Sequence, residues 1–292
     1  MKIAAFSDVH SNLPALEAVL DDIAGWGSDV QIVVAGDFLN FGPFPHKILE
    51  LIRALPNAVI IAGNHEEYVI DNFHKTRNGP LPVPWRALYA PSVWTANQLT
   101  PHDIEWLEKL PRQASLPGPH GSDIQIVHGS PRRQIEGLSQ ELGNARLAEI
   151  FAGQIRPRRL WISGHIHRPT LLRWRGMTIT SNGAVGMSLD GDVRACYLRA
   201  EWDETRGDWH AEHRRVAYDR ARAIADNVVN AAHDQAGPFM HLVNYVIKTG
   251  SYCCITQFVN DYVAQGGYPA PPYDFAHLEK AVAAHLASFG EV

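Results

Sequence analysis

Short apolar runs that stop abruptly in polar residues recur along this chain. Ile3-Ala4-Ala5-Phe6 runs into Ser7-Asp8-Val9-His10, and Ile32-Val33-Val34-Ala35 into Gly36-Asp37. Val59-Ile60-Ile61-Ala62 leads to Gly63-Asn64-His65-Glu66, and Ile124-Gln125-Ile126-Val127 to His128-Gly129. Leu160-Trp161-Ile162-Ser163 leads to Gly164-His165-Ile166-His167. Runs this short, rich in β-branched residues and bounded by glycine, read as buried strands. Ligands of open α/β sheets bind just beyond the carboxyl ends of the strands. Five strand ends that offer His, Asp and Asn therefore point to one shared site.

Between the strands the spacing turns helical. Asn12 is placed to cap a helix through Pro14 and Leu20 that ends near Gly25. A strand over Val30 to Ala35, a Gly- and Pro-containing loop over Phe38 to Pro45, a helix near Lys47 to Ala54 and a strand over Ala58 to Ala62 follow. This β-α-β-α-β order favours a parallel sheet. Residues 67–116 change character: Pro80, Pro82 and Pro84 break the pattern, and Thr100-Pro101 starts a helix carrying Ile104, Trp106, Leu107 and Leu110. The stretch is expected to be a helical excursion over the sheet edge. Strands dominate from Asp123 to about Ala217, with Arg194 to Trp202 and Trp209 to Val216 forming an antiparallel hairpin. Residues 218–292 read as helices over Arg220 to Ala232, Met240 to Lys248, Ile255 to Ala264 and His277 to Ser288, the last two separated by Gly266-Gly267 and Pro269 to Pro272. The expected division is 1–217 as one catalytic unit and 218–292 as an appended helical extension.

The chain has 292 residues, 46% hydrophobic and 20% charged, the profile of an ordinary globular protein. A net charge of -5 argues against an extended nucleic-acid surface, which shows as a basic excess. Cys196, Cys253 and Cys254 make a poor disulfide framework, so a reducing compartment is expected. The first strand begins at Lys2, which leaves no room for a removable leader, and no apolar stretch reaches membrane-spanning length. A cytoplasmic protein is the expectation.

Mixed His, Asp and amide ligands are common around the divalent metals of phosphoryl hydrolases. Two such ions ~3.5–4 Å apart can clamp an in-line displacement. The pair needs a bridging carboxylate, and Asp37, at the second strand end, is the natural candidate. Two dications set against Asp8, Asp37 and a bridging hydroxide leave about one positive charge, which suits an anionic phosphate. Neutral Asn64 fits the same logic, since another carboxylate would cancel what remains.

Asp8-x-His10, Gly36-Asp37, Gly63-Asn64-His65-Glu66, His128-Gly129 and Gly164-His165-x-His167, in that order, resemble the calcineurin-like metallophosphoesterases. Gly42-Pro43 after Gly36-Asp37, and His128-Gly129-Ser130-Pro131-Arg132, look most like the compact bacterial and archaeal phosphodiesterase branch. The resemblance covers about residues 1–217. It implies a four-layer α/β/β/α metallophosphoesterase sandwich, here with a C-terminal helical extension. It places Asp8, His10, Asp37 and His167 around one metal, and Asp37, Asn64, His128 and His165 around the other. It also makes His65 the group that contacts the phosphate and donates a proton to the leaving oxygen. Glu66 is placed either to orient His65 or to start the following helix, and the helix role is the expectation, because acids are favoured at helix N-termini. Asn182-Gly183-Ala184 stands where family members often show Asn-Pro-Gly-Ser, so the role of that turn stays open.

The implied reaction is attack of a metal-bound hydroxide on phosphorus, with a small phosphodiester as the preferred substrate and nucleotides among the candidates. Mn²⁺ is the expected activating ion, and Fe, Zn, Ni or Co suit the same ligands. A phosphomonoesterase would use the same metals, and a non-catalytic scaffold on the same fold is a reading of another class. Arg132, and after it Arg133, is the candidate for a second phosphate contact, because guanidinium presents a fork of donors. The extension carries enough apolar residues to pack on the core, cover the site or form a homo-oligomer contact, with packing as the default.

Overall fold

Strand β1 (Lys2–Phe6) shows how the apolar runs are used. Ile3 and Ala5 face one hydrophobic cluster while Ala4 and Phe6 face another, so the strand is buried on both sides. A strand covered on both faces needs no polar alternation, and this accounts for the continuous apolar run. The computed structural model describes residues 1–79, 89–229, 236–251, 255, 257–259, 261 and 275–290.

Helix α1 (Leu13–Ala24), β2 (Val30–Ala35), α2 (Pro45–Ala54) and β3 (Val59–Ile61) follow β1. Helices α3 (Asn64–Arg77), α4 (Ala90–Gln98) and α5 (Pro101–Glu108) come next, then strands β4 (Gln113–Pro117) and β5 (Asp123–Val127). Helix α6 (Asn144–Ile150) precedes β6 (Leu160–Ser163), β7 (Pro169–Trp174), β8 (Met177–Asn182), β9 (Ala195–Asp203) and β10 (Asp208–Val216). The chain continues through α7 (Arg220–Val229), α8 (Phe239–Thr249) and α9 (Phe275–Ala287).

Among the described residues the strands form two five-stranded mixed sheets, ordered β10-β9-β1-β2-β3 and β4-β5-β6-β8-β7. In the first, β1 pairs parallel with β2, and β2 with β3; in the second, β6 pairs parallel with both β5 and β8. The inner faces meet in one core, with Ile3, Val33 and Ile61 from one sheet against Ile124, Ile126, Leu160 and Ile162 from the other. Helices α1 to α5 cover the outer face of the first sheet through Leu16, Ile48, Val69, Ala96 and Ile104. Helix α6 covers the second through Leu147 and Ile150, against Val127, Trp161 and Ile179. The α/β/β/α layering is therefore present.

The caps of α1 and α5 are as predicted: Asn12 accepts from the Ala15 N–H at 3.2 Å and Thr100 from the Asp103 N–H at 3.2 Å. Two elements depart from expectation. The stretch 67–116 is not wholly helical, since its end forms edge strand β4, paired antiparallel with β5. Helix α6 lies inside the region read as strands. Pro80, Pro82, Pro84, Trp85, Cys253, Cys254, Tyr262, Gly266-Gly267, Pro269 to Pro272 and much of the predicted helix 255–264 lie outside the described residues.

The C-terminal helices build a further core with Trp94, Met187 and Leu189, using Phe239, Leu242, Val243, Val246 and Leu278. Packing is the role observed for the tail, and Trp94 belongs to this core. Among the described residues no helix is long and apolar enough to cross a membrane.

Asp22 on α1 ties that helix to the β9–β10 hairpin. Its carboxylate accepts from Arg214 at 2.8 Å, Arg199 at 2.8 Å and Tyr197 Oη at 2.7 Å. The Arg214 bond leads in holding its pKa down to about 2. A carboxylate depressed in the fold contributes stability above its unfolded pKa, about 4, which is lost as the pH falls toward the folded value. Asp22→Asn is therefore expected to cost about 1.5–3 kcal/mol at pH 7 in urea unfolding, the range for hydrogen bonds to charged groups. The gap should narrow at acid pH. A gap that persists undiminished toward pH 2 would show that the carboxylate charge is not the cause.

Candidate metal centre

All five strand ends converge. Asp8 and His10 follow β1, Asp37 follows β2, Asn64 and His65 open α3 after β3, His128 follows β5, and His165 and His167 follow β6. Among the described residues, three groups of ligand atoms lie close enough to hold a metal, each within 4.8 Å of one another: Asp8–His10–His167, His10–Asp37–His65 and Asp37–His128–His165. The first and third match the two sites that the sequence anticipated. Asp37 belongs to the second and third, and the second brings in His65, which was not expected as a ligand. Asn64 completes the third, its Oδ1 lying 3.1 Å from His128 Nε2 and 3.1 Å from His165 Nδ1.

Hydrogen bonds behind the rings decide what the site can hold. His10 Nδ1 faces Leu39 O at 3.2 Å, His128 Nδ1 faces Ala35 O at 2.8 Å, and His167 Nδ1 faces Met187 O at 2.7 Å. A carbonyl accepts only, so each Nδ1 carries the proton and each neutral ring turns the Nε2 lone pair inward. Those lone pairs then crowd other acceptors: His10 Nε2 lies 3.1 Å from His167 Nε2, itself 3.3 Å from Asp8 Oδ1. His128 Nε2 lies 3.0 Å from Asp37 Oδ2 and 3.1 Å from Asn64 Oδ1. Acceptors pointed at acceptors in a buried site need a positive charge between them, a metal ion or, without one, a proton on the ring. The residues thus fit a metal pair.

Without a metal ion, a proton takes that place on His128. Burial opposes charging His128, but the Asp37 carboxylate outweighs it and pushes the imidazole up to about 10. Burial likewise works to raise Asp37, yet His128 and His65 bring its pKa well below the usual range. Burial, reinforced by His128, brings His165 down to about 4. The centre favours ionised carboxylates wherever a positive partner is near.

The backbone is strained to make this geometry. Asp8, His10, Ser11, Asp37, Asn40, Phe41, His165 and His167 all adopt positive φ, eight of the twelve non-glycine residues that do so among those described. Each costs on the order of 1 kcal/mol. Their sum approaches the ~5–15 kcal/mol net stability of a domain, so cores on both sides must enforce them. Glycine is needed where a carboxylate approaches the backbone: a Cβ at Gly63 would collide with Asp37 Oδ1, and one at Gly164 with Ser7 Oγ and Asp8 Oδ2.

Neighbours that the sequence did not single out steady the centre. Ser7 Oγ donates to Asp8 Oδ2 at 2.6 Å and accepts from Asn182 Nδ2 at 3.4 Å, which gives the Asn182 turn a supporting part. The buried Glu66 carboxylate accepts from the N–H groups of Gly63 at 2.8 Å, Asp37 at 2.7 Å and Leu39 at 3.0 Å. Glu66 does start α3, as expected, but through buried hydrogen bonds that also pin the Asp37 loop. Burial and Asp37 push it up to about 7 against those bonds. Asn40 Nδ2 lies 2.8 Å from His65 Nδ1. Asn40 had no sequence signal beyond being an asparagine three residues past Asp37.

His65 is half-buried beside Phe41, Tyr68 and His10, with ring centroids 4.8, 5.3 and 4.8 Å away. Phe41 stacks on Phe239 at 5.5 Å, so the extension supports this wall of the site. Arg132 is held by Glu136 and, at 2.8 Å, by Glu149, so its fork of donors is already engaged. Arg133 lines a neighbouring groove with Arg112 and Ser130.

The family model for the calcineurin-like phosphoesterases matches residues 1–195. An uncharacterized protein of Methanocaldococcus jannaschii is 28% identical over 262 residues, 82% of this chain and 97% of its own. Phosphodiesterase YfcE of Escherichia coli is 31% identical over 94 residues, 30% of this chain and 50% of its own. The crystal structure of a metallophosphoesterase from Sphaerobacter thermophilus aligns with a TM-score of 0.64 at 29% identity, covering 86% of this chain and 99% of that one.

Proposed function

The chain belongs to the calcineurin-like phosphoesterases, and from that membership we propose that it is a dinuclear metal-dependent phosphodiesterase. The observation that carries this reading is the pair of ligand clusters Asp8–His10–His167 and Asp37–His128–His165, with Asp37 also within reach of His10 from the first. Asp8, His10, Asp37 and His167 would hold one cation, and Asp37, Asn64, His128 and His165 the other. When bound, the pair supplies positive charge that polarises the phosphoryl oxygens and makes water acidic enough to act as a nucleophile. Mn²⁺ is the proposed activator, and Fe, Zn, Ni and Co suit the same nitrogen and oxygen donors.

The protein side of the reaction follows from the walls. The ligand residues hold the reacting phosphate at the strand ends, and His65, at the rim, stabilises the leaving oxygen. Phe41, backed by Phe239, keeps water away from one side of His65. Residues 1–217 would serve as the catalytic unit, and 218–292 as the support of that wall. The phosphodiester preference rests on the likeness to the phosphodiesterase of Escherichia coli, over the stretch it shares. A reducing, cytoplasmic setting is part of the same proposal, and it suits the buried thiol of Cys196.

The test is hydrolysis of bis-p-nitrophenyl phosphate against p-nitrophenyl phosphate with added Mn²⁺. The diester is expected to turn over faster. Faster monoester turnover would make the protein a phosphomonoesterase. Metal binding without turnover of either would make it a scaffold.

A further inference from the structure

We propose that Phe41 and Tyr68 form an aromatic wall that takes a flat, uncharged ring on the leaving group, which makes nucleoside esters the preferred substrates. Both rings meet His65, Phe41 at a centroid distance of 4.8 Å and Tyr68 at 5.3 Å. Both are only partly buried, as is His65, so all three keep surface open to solvent beside the ligand residues. His65 stands next to the leaving oxygen in the proposed reaction, and the inference rests on that reading for the identity of the group these rings border.

The wall is held from behind. Phe41 stands at φ 64°, a left-handed conformation that bulky side chains rarely adopt. Phe239 of the C-terminal extension stacks on its ring at 5.5 Å, with 23° between the planes. Phe239 is itself buried in the core of the extension helices. Tyr68, about one turn past His65 on α3, forms a T-shaped pair with Tyr89 at 6.1 Å. Strain of the Phe41 kind clusters at ligand-binding sites, where the surrounding packing enforces it. Rings fixed in this way offer π-faces on which any base can stack.

Charge decides what kind of ring fits. Past Tyr68 the surface opens into a groove of about 290 Å³, with Leu107 and Leu110 in its lining. Glu67, Asp71 and Glu108 also line it, and Arg112 is the one cation among its described residues. Arg112 is already tied to Glu67 at 2.6 Å. A second phosphate on the leaving group would therefore meet three carboxylates and no free cation. Arg132 and Arg133 line a different groove, beside His128. The volume lies near the lower end of small-molecule sites, ~300–1,000 Å³, which suits a single nucleoside and not a longer chain.

The first test needs no turnover. In the full chain loaded with Zn²⁺, with inorganic phosphate present, saturation-transfer NMR should show the thymine ring of thymidine in contact with the protein. The signal should persist in Tyr68→Phe, which keeps the ring, and vanish in Tyr68→Leu at native metal content. No signal in the native chain, or an equal one in Tyr68→Leu, overturns the wall. The second test is turnover of thymidylyl-3′,5′-thymidine and of its two analogues that lack one base, the product nucleoside identifying the leaving side. Loss of the base on that side should lower kcat/KM about tenfold, the scale of one stacked base, and loss of the other base should change it less than about twofold. Tyr68→Leu should erase the difference, and Tyr68→Phe should keep it. A phosphate added to the leaving nucleoside should slow the reaction, and a faster one would overturn the uncharged part of the proposal. Base-independent turnover sinks the wall and keeps the phosphodiesterase; thymidine binding without turnover of any diester does the reverse.

Discussion

Asp37→Ala is expected to lose both metal and activity, and to show the largest effect of any single substitution in the chain. Its carboxylate groups with His128 and His165 and also lies within reach of His10, which belongs to the other proposed ligand group. Its Oδ2 meets His128 Nε2 at 3.0 Å, and its Oδ1 accepts the His65 N–H at 2.8 Å. Removing it leaves each group one donor short and takes away the negative charge that lets two cations sit close together. A bound metal contributes several kcal/mol to a phosphoryl transfer, and about 4 kcal/mol is already close to 10³ in rate. Metal per chain by elemental analysis should fall below that of the native protein, and diester turnover by at least about 10³-fold. The fold should survive, since Asp37 lies in a loop, although alanine tolerates its positive φ of 53° less well than aspartate does. Native metal content in this variant would remove the shared-carboxylate picture altogether.

The ligands were legible because sheet geometry concentrates them. Parallel strands buried on both faces read as unbroken apolar runs, and each run is followed directly by the residues that project from its end. Asp8, Asp37, Asn64, His128 and His165 all fall within three positions of such a run. What the sequence concealed was less periodic. Strand β4 is an edge strand of Gln113-Ala114-Ser115-Leu116-Pro117, with alternate residues exposed, so it carries no apolar run. Helix α6 has seven residues, too few for its 3.6-residue period to stand out. Arg132 looked free because Glu149, which engages it, lies 17 residues on. Asn40 and Ser92 meet across 52 residues, a contact that no local pattern announces. The residues proposed to act on the substrate were readable from their strand ends, whereas the neighbours that orient them are met only through contacts distant in sequence.

His65→Ala should separate catalysis from metal binding. Alanine keeps the backbone N–H that donates to Asp37 Oδ1 and keeps α3 in place, so the carboxylate stays oriented. Losing one preorganised donor at a position of developing charge costs roughly 10²–10³ in kcat. Diester turnover should drop by that factor while metal per chain stays native. The alternative is explicit in the geometry, because His65 also falls in a group with His10 and Asp37 close enough to bind a cation. In that case the variant would lose metal as Asp37→Ala does, and added Mn²⁺ would restore part of its rate. The two outcomes differ in a quantity that can be counted per chain.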